Sequence, residues 1–520
     1  MTQHHNTAGR HSFKPNPAKT LASSMLLCMA TLLSAQSQAS EATTTETKPY
    51  AVQVASCPVD PTWITNPSLP TEVKKSGADG SSNFCDFYQF STQAFLYLMS
   101  PAKDGSGRNF QQQSQFHVLE FEGDKPGNSC DDKVTGLTLR ASVDKSAPGS
   151  SMSTGQAGSH ASIYAQDGNV IYYQVRFNKS LCDLTGSAVE QQKQGIKNFP
   201  AGTYELKFAW KPLSEAEVKA NDFVMQETTL NDKPVTLGLV GMHMAIATQD
   251  HPEFVWVTYE HNRNSPDCNA SVDQSKTTWT FANPACTAGL PGTAGENAAC
   301  QFNKPPKNTS SPSGAATNIC QVHPYGTAST DKNASENISD IQQQNADMQM
   351  AVTSKGDASM QVLNNYFTVG ALWVSDIGQS SGGVGVPNER GSLRLANTVA
   401  ETDFQNVDID SKKFISNCFG CHNYAGTSTQ TSNNITSQAL SHIFQDIVIG
   451  KGLSVDVSAG QLIADNSKAP AICGGIPDTP QKKGTPGVCK NSASYLKWNG
   501  QWTNINSSAG SVCGCEVNTQ

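Results

Sequence analysis

Five contiguous residues, Cys418-Phe-Gly-Cys421-His422, place two thiols and an imidazole at Cys-x-x-Cys-His spacing. Two sulfurs at that separation can reach the two vinyl groups of one porphyrin, and a histidine directly after the second cysteine can turn under the ring to bind its iron. A Cys-x-x-Cys pair without the histidine would equally suit a thiol–disulfide redox pair, half of a zinc site or a plain disulfide. Zinc needs a second pair at ligand spacing. The pairs that follow, Cys473 with Cys489 and Cys513 with Cys515, are distant and read as disulfide partners. The spacing therefore predicts one covalent haem c, held at Cys418 and Cys421 with His422 as the proximal iron ligand.

The second axial position is less constrained. The last methionine, Met360, precedes the motif, so a downstream methionine ligand is excluded. The one histidine after the motif is His442, in Ser441-His-Ile-Phe-Gln-Asp-Ile-Val448, where Ile443, Phe444, Ile447 and Val448 trace an apolar helical face. His442 is the expected distal metal ligand. An upstream Met348, Met350 or His243, or an open iron position, are the alternatives.

The N-terminus reads as an export signal. Arg10, Lys14 and Lys19 precede the apolar stretch Leu21 to Leu33, and Ser37-Gln-Ala39 offers small residues for cleavage after Ala39. Cys28 follows Met25-Leu-Leu27, which lacks the small residue a lipidation signal needs. No later segment approaches about 18 uninterrupted apolar residues, so no membrane-spanning helix is expected. Of 15 cysteines, setting aside Cys28, Cys418 and Cys421 leaves twelve, an even number suited to an oxidising compartment. A periplasmic or secreted location follows. Loss of residues 1–39 removes three basic residues and no acidic ones, taking the formal charge from −8 to −11. An acidic surface argues against nucleic acid and anionic lipid as partners.

The elements that must position the motif read as a multidomain chain. Residues 40–285 are rich in short alternating runs: Phe116 to Phe121, Val170 to Phe177 and Gly202 to Trp210. These predict a mainly β, sandwich-like N-terminal domain. Leu237 to Ala247 should form a hairpin with Phe254 to His261, which brings His243 within a few residues of Glu260 and His261. That trio could form a metal site, but a hydrogen-bond network on a sheet face is the preferred reading. Residues 286–340, with Cys286, Cys300 and Cys320, read as a disulfide-pinned linker. Residues 341–464 read as an α-containing c-type haem region, in which Phe404, Phe414, Phe419 and Tyr424 are candidate cover for the ring.

Three stretches resemble a known group. His251-Pro-Glu-Phe-Val-Trp256-Val-Thr-Tyr-Glu260-His261, Leu395-Ala-Asn397-Thr398-Val-Ala-Glu401-Thr402 and the Cys-x-x-Cys-His motif are similar to large, single-haem periplasmic proteins of the cytochrome c family. The resemblance implies haem c and assigns no substrate. At the C-terminus, Trp498-Asn-Gly500-Gln501-Trp502-Thr503 with Ser511-Val-Cys513-Gly-Cys515-Glu-Val517 resembles the repeat ending of the cyanobacterial mannan-binding lectin family, and Ala469-Pro-Ala-Ile472 with Gln481 resembles the repeat's opening. Cys473 stands where that repeat carries tryptophan, and one repeat is present where the lectin has two. The resemblance implies a small disulfide-rich α+β module over 465–520, with Asn499, Gln501, Trp502 and Thr503 as a site for a mannose-containing glycan, an aromatic face stacking on the sugar while amides and hydroxyls bind its hydroxyl groups.

The expectation is an exported monohaem cytochrome that passes single electrons to a redox partner protein. A glycan-binding or interaction protein, and a haem enzyme or gas sensor with an open iron, are the competing classes.

Overall fold

The computed structural model describes residues 57–118, 162–181, 198–230, 233–270, 277–288, 300–304, 316–374 and 389–402, with short pieces at 121–122, 125–126, 138–139, 290, 405, 418–422, 440–441, 495–506 and 510–517. The helices are α1 (Thr62–Thr65), α2 (Phe84–Met99), α3 (Glu215–Ala220), α4 (Pro284–Thr287), α5 (Ala334–Lys355) and α6 (Cys418–His422). The strands are β1 (Phe116–Val118), β2 (Phe121–Glu122), β3 (Lys125–Pro126), β4 (Thr138–Leu139), β5 (Tyr172–Asn178), β6 (Thr203–Pro212), β7 (Met225–Leu230), β8 (Lys233–Ala247), β9 (Val255–His261), β10 (Tyr366–Val374), β11 (Glu389–Gly391), β12 (Tyr495–Asn506) and β13 (Gly510–Val517).

Nine strands form one sheet in the order β1-β5-β6-β8-β9-β10-β11, with β7 also paired to β8 and β4 to β7. Every pairing is antiparallel except β4 on β7. The sequence of β6 shows why the sheet is two-sided. Tyr204, Leu206, Phe208 and Trp210 alternate with Glu205, Lys207, Ala209 and Lys211, and side chains two apart on a strand share a face. One face is therefore apolar and largely aromatic, while the other carries charge.

Helices cover the apolar face. α2 opens with a reciprocal cap in which the Asn83 side chain accepts from Asp86 N and the Asp86 carboxylate accepts from Asn83 N. The helix stacks Phe95 on Tyr259 at 3.9 Å and Phe87 on Trp373 at 3.8 Å between ring centroids. Each such pair adds roughly 0.5–1.5 kcal/mol to the area it buries. α5 brings Ile341, Met348 and Val352 into the same core. Its Asn345 exchanges two hydrogen bonds with the backbone of Thr368, where the β9–β10 register shifts. The β-rich character expected for the N-terminal part holds, but the layer against this face is helical where a second sheet was expected.

The charged face is covered by irregular segments and, at one end, by α6. Ile319, Phe281, Val399 and Ala400 pack over Tyr173, Ala209 and Val240, and Leu395, Phe419 and Leu440 pack over Phe177, Ala245, Trp256 and Leu372. Strands from both sides of the Cys-rich 286–340 stretch thus belong to one sheet.

Among the described residues, three disulfides join Cys57 to Cys85, Cys268 to Cys320 and Cys286 to Cys300. β12 and β13 form a separate antiparallel pair with Trp498 opposite Cys515 and Trp502 opposite Cys513. No helix among the described residues is long and apolar enough to cross a membrane. The expected signal segment, 1–39, lies outside them.

The Cys268–Cys320 bridge closes a loop 52 residues long, which limits the unfolded chain. The C268S/C320S variant is expected to lose about 2–4 kcal/mol of stability. Urea unfolding of both proteins, with and without reductant, checks this: without reductant the two should differ by that bridge's contribution, and in reductant the difference should vanish.

Candidate functional site

The register of the β8–β9 hairpin builds the floor of the site. His243 lies opposite Thr258, Ala245 opposite Trp256 and Gly241 opposite Glu260. Trp256, Thr258 and Glu260 therefore line the charged face in a row, with Lys207 and Glu205 of β6 opposite His243 and Ala245. The small Ala245 beside Trp256 leaves room for a covering element, and α6 occupies that end of the face.

α6 packs directly on the tryptophan. Phe419 is buried with its ring edge-on to Trp256 at 5.9 Å, and the His422 ring lies 4.5 Å from the Trp256 ring. Positions 418, 421 and 422 are spaced i, i+3 and i+4, which fall on one side of a helical turn. The decisive contact for the histidine is with backbone: Nδ1 is 2.7 Å from the Leu440 carbonyl oxygen. A carbonyl only accepts, so Nδ1 carries the proton and Nε2 keeps its lone pair. Burial pushes the His422 pKa down to about 4, which keeps the ring neutral near neutral pH. A neutral imidazole with one nitrogen tied to a carbonyl is the form that ligates metals.

These residues fit a c-type haem. Two cysteine positions one helical turn apart accompany an imidazole whose tautomer offers Nε2, beside an apolar wall of Trp256, Phe419 and Leu440. The indole Nε1 of Trp256 is buried without a hydrogen-bond partner, a spare donor beside the histidine. A haem bound by Cys418, Cys421 and His422 would supply a one-electron iron couple.

A buried polar seam runs from this end of the face toward the other. Glu205 receives a short hydrogen bond from the Ser441 hydroxyl, and burial pushes its pKa up to about 8 against that contact. His243 Nε2 approaches Glu401 Oε2 to 2.8 Å, close but off the direction of a good hydrogen bond, and Lys207 Nζ is 4.0 Å from the same carboxylate. Burial alone would raise the Glu401 pKa, yet the neighbouring His243 and Lys207, with hydrogen bonds, hold it below the usual value. Glu260 accepts from Thr398 N at 2.7 Å and Thr398 Oγ1 at 2.5 Å. Burial dominates there and lifts its pKa to about 7. Asn397 donates to Thr258 Oγ1 at 2.9 Å and to Tyr259 O at 3.2 Å. Gly241 permits this approach, because a Cβ there would stand 2.8 Å from Asn397 Oδ1 and 2.9 Å from Val399 Cγ2.

The structure sorts the candidates read from sequence. It brings the 251–261 and 395–402 stretches and the Cys-x-x-Cys-His helix onto one face. It separates the proposed trio: Glu260 and His261 are consecutive on a strand and so project to opposite faces. His261 meets Tyr366 of the helix-covered core edge-on at 5.2 Å, stacks on Phe223 at 4.3 Å, and its Nε2 is 3.1 Å from Asp222 O. Among the described residues no three His, Cys, Asp or Glu side chains gather to hold a metal ion. Met348 is buried in the helix-covered core, across the sheet from His422, and Met350 of the same helix is exposed, so neither can meet an iron held by His422. His442, Phe404, Phe414 and Tyr424 lie outside the described residues. Asn499, Gln501, Trp502 and Thr503 all fall on β12. Sequence reasoning did not single out Trp256 as a wall, the Leu440 carbonyl, Glu205, or Glu401 as the partner of His243. The alternation Trp256, Thr258, Glu260 was the available signal for the first.

Comparison of the chain with protein-family models, with curated proteins and with solved structures gives no match.

The raised Glu260 pKa has a stability consequence of definite sign. A carboxyl bound to its proton more tightly in the folded state stabilises fully below its unfolded value near 4.5, and that contribution is lost as pH rises through about 7. The loss is on the order of 3 kcal/mol. His261 and His422, both held near 4, act oppositely, stabilising above 6.5 and losing that as pH falls. The difference in unfolding free energy between wild type and E260Q, followed by urea titration from pH 4.5 to 8, isolates the glutamate: the wild type should lose ground on the variant as pH rises.

Proposed function

We propose that the protein is an exported monohaem c-type cytochrome that carries single electrons, with haem attached at Cys418 and Cys421 and His422 as the proximal ligand. The observation that carries the reading is the Nδ1 contact of His422 with the Leu440 carbonyl. That contact fixes the tautomer a proximal ligand needs and orients the ring without a charged partner. The apolar wall of Trp256 and Phe419 supports it, because excluding water from the iron's surroundings is one of the levers by which protein sets a haem potential. Disulfides at Cys57–Cys85, Cys268–Cys320 and Cys286–Cys300 support export to an oxidising compartment.

A second reading, a haem enzyme or gas-binding protein, has one observation in its favour. The seam of Glu205, Glu260 and the His243–Glu401 pair places acid and base groups with raised and lowered pKa values on the same face as His422. Electron carriers need no such groups.

Pyridine haemochrome analysis of the mature chain, produced with a cytochrome c maturation system, tests the first reading. One covalent haem per chain is expected, and its loss in C418S/C421S. A wild-type chain without covalent haem sinks the proposal. Carbon monoxide then separates the two readings: an unchanged reduced spectrum fits two strong protein ligands and electron transfer, with H442A expected to open the iron, whereas rapid carbon monoxide binding by the wild type moves the enzyme or gas-binding reading forward.

A further inference from the structure

On the opposite face of the sheet from α6, two buried polar side chains of one strand interrupt the apolar layer. Gln174 and Arg176 of β5 point into the helix-covered core, because Gln174 lies opposite Phe208 and Arg176 opposite Leu206, both members of that core. Gln174 is 0% exposed and Arg176 1%. The Arg176 guanidinium sits over the Phe110 ring, 5.9 Å from its centroid, and the same ring lies 4.7 Å from Phe208 and 6.1 Å from Trp210. Trp210, opposite Tyr172 on the adjacent strand, is also fully buried. Phe110 thus roofs a patch that Arg176 and Trp210 both reach, with Gln174 opposite Phe208 in the row between them on the same face.

Four of their polar atoms are buried without a partner. Arg176 makes one long hydrogen bond, from Nη1 to Phe116 O at 3.3 Å, and its Nε is buried without a partner. Both amide atoms of Gln174 and the indole Nε1 of Trp210 are buried and unpartnered as well. Among the described residues no carboxylate forms an ion pair with Arg176. Burial alone, with no opposing charge, pushes its pKa down to about 9. At neutral pH the group remains a cation, and a buried cation without a counter-ion is among the costliest arrangements a core can hold. Glu205 does not answer it, because that side chain belongs to the other face.

The chemistry of the missing partner follows from the donors. A guanidinium edge, an amide N–H and an indole N–H all donate, and a guanidinium fork matches two oxygens on one centre. We propose that Arg176, Gln174 and Trp210 form a buried binding site for one small carboxylate-type monoanion, of the size of formate or hydrogencarbonate. The site is independent of the haem reading, since the sheet lies between them. Aromatic walls supplied by Phe110 and Phe208 would exclude water, so that an anion bound there is held by charge-assisted hydrogen bonds in a low-dielectric setting.

The test uses the full mature chain, stripped of small anions by exhaustive dialysis into a buffer whose anion is a bulky organic sulfonate, with no chloride. Formate and hydrogencarbonate are titrated at constant ionic strength, and the melting temperature and one-site binding by calorimetry are recorded. Saturable binding of either anion with a matching rise in melting temperature is expected. Trp210→Phe, which removes one N–H and keeps an aromatic ring, should weaken that binding about tenfold, and Gln174→Met should weaken it similarly. Arg176→Met should abolish it and, with the uncompensated charge gone, should melt at or above the anion-free wild type. No saturable effect of either anion on the wild type overturns the proposal, as does binding left unchanged in both Trp210→Phe and Gln174→Met. The last two variants keep the test decisive should Arg176→Met fail to fold.

Discussion

Glu260 and His261 are covalent neighbours that lie on opposite sides of a sheet, and the rest of the structure depends on that separation. Once β8 and β9 pair with His243 opposite Thr258, every side chain of the hairpin is assigned to a face. Val255, Val257, Tyr259 and His261 go to the helices, and Trp256, Thr258 and Glu260 go to the motif segment. A slip of one residue would drive Glu260 into the aromatic layer under α2 and push Tyr259 out of its stack with Phe95. Because the two alternatives are so unequal in burial, the register is held firmly, and with it the row of side chains beneath His422.

That floor holds charge in an unusual setting. Glu205, Glu260 and Glu401 are withdrawn from water, and each is answered differently: by the Ser441 hydroxyl, by the backbone and hydroxyl of Thr398, and by His243 with Lys207. Only the third arrangement is an ion pair, and only there does the carboxylate keep a depressed pKa. Neutral donors offset less of the desolvation than an opposite charge does, so the two other glutamates retain a tendency to hold protons. The seam therefore stitches 397–401 and 440–441 to the sheet through polar contacts, while Leu395, Phe419 and Leu440 supply the apolar packing beside it. Tyr173 adds to the stitching by donating its hydroxyl to the Val399 carbonyl.

How much of this could be read from sequence varies with the kind of interaction. The thiol and imidazole spacing is legible because the chemistry requires contiguous residues. The β8–β9 hairpin and β6 are legible because alternation leaves a period of two in the residues themselves. For the trio of His243, Glu260 and His261 the same physics cuts the other way: nearness along a hairpin suggests a shared site, while alternation sends the adjacent Glu260 and His261 to opposite faces. α2 was not found, since Phe87, Phe90, Ala94, Phe95, Leu98 and Met99 are interspersed with buried Ser91 and Thr92 on nearly every side, which leaves little amphipathic period. Its Asn83-x-x-Asp86 cap was the remaining signal. α5 hides in the opposite way, with few apolar residues among many polar ones. The Glu401 partner of His243 and the Leu440 carbonyl are set by tertiary contact. A backbone acceptor leaves no trace in residue type.

The three disulfides place a demand on the order of events in making this protein. An environment oxidising enough to close Cys57–Cys85, Cys268–Cys320 and Cys286–Cys300 will also tend to join Cys418 to Cys421, which stand three positions apart on one helical turn. Any chemistry that uses that pair as nucleophiles requires them reduced, since the thiolate is the reactive form. A chain that used the pair in that way would have to carry two populations of cysteine in opposite oxidation states through the same compartment. Timing or a dedicated reductant would have to keep them apart, because distance along the chain cannot.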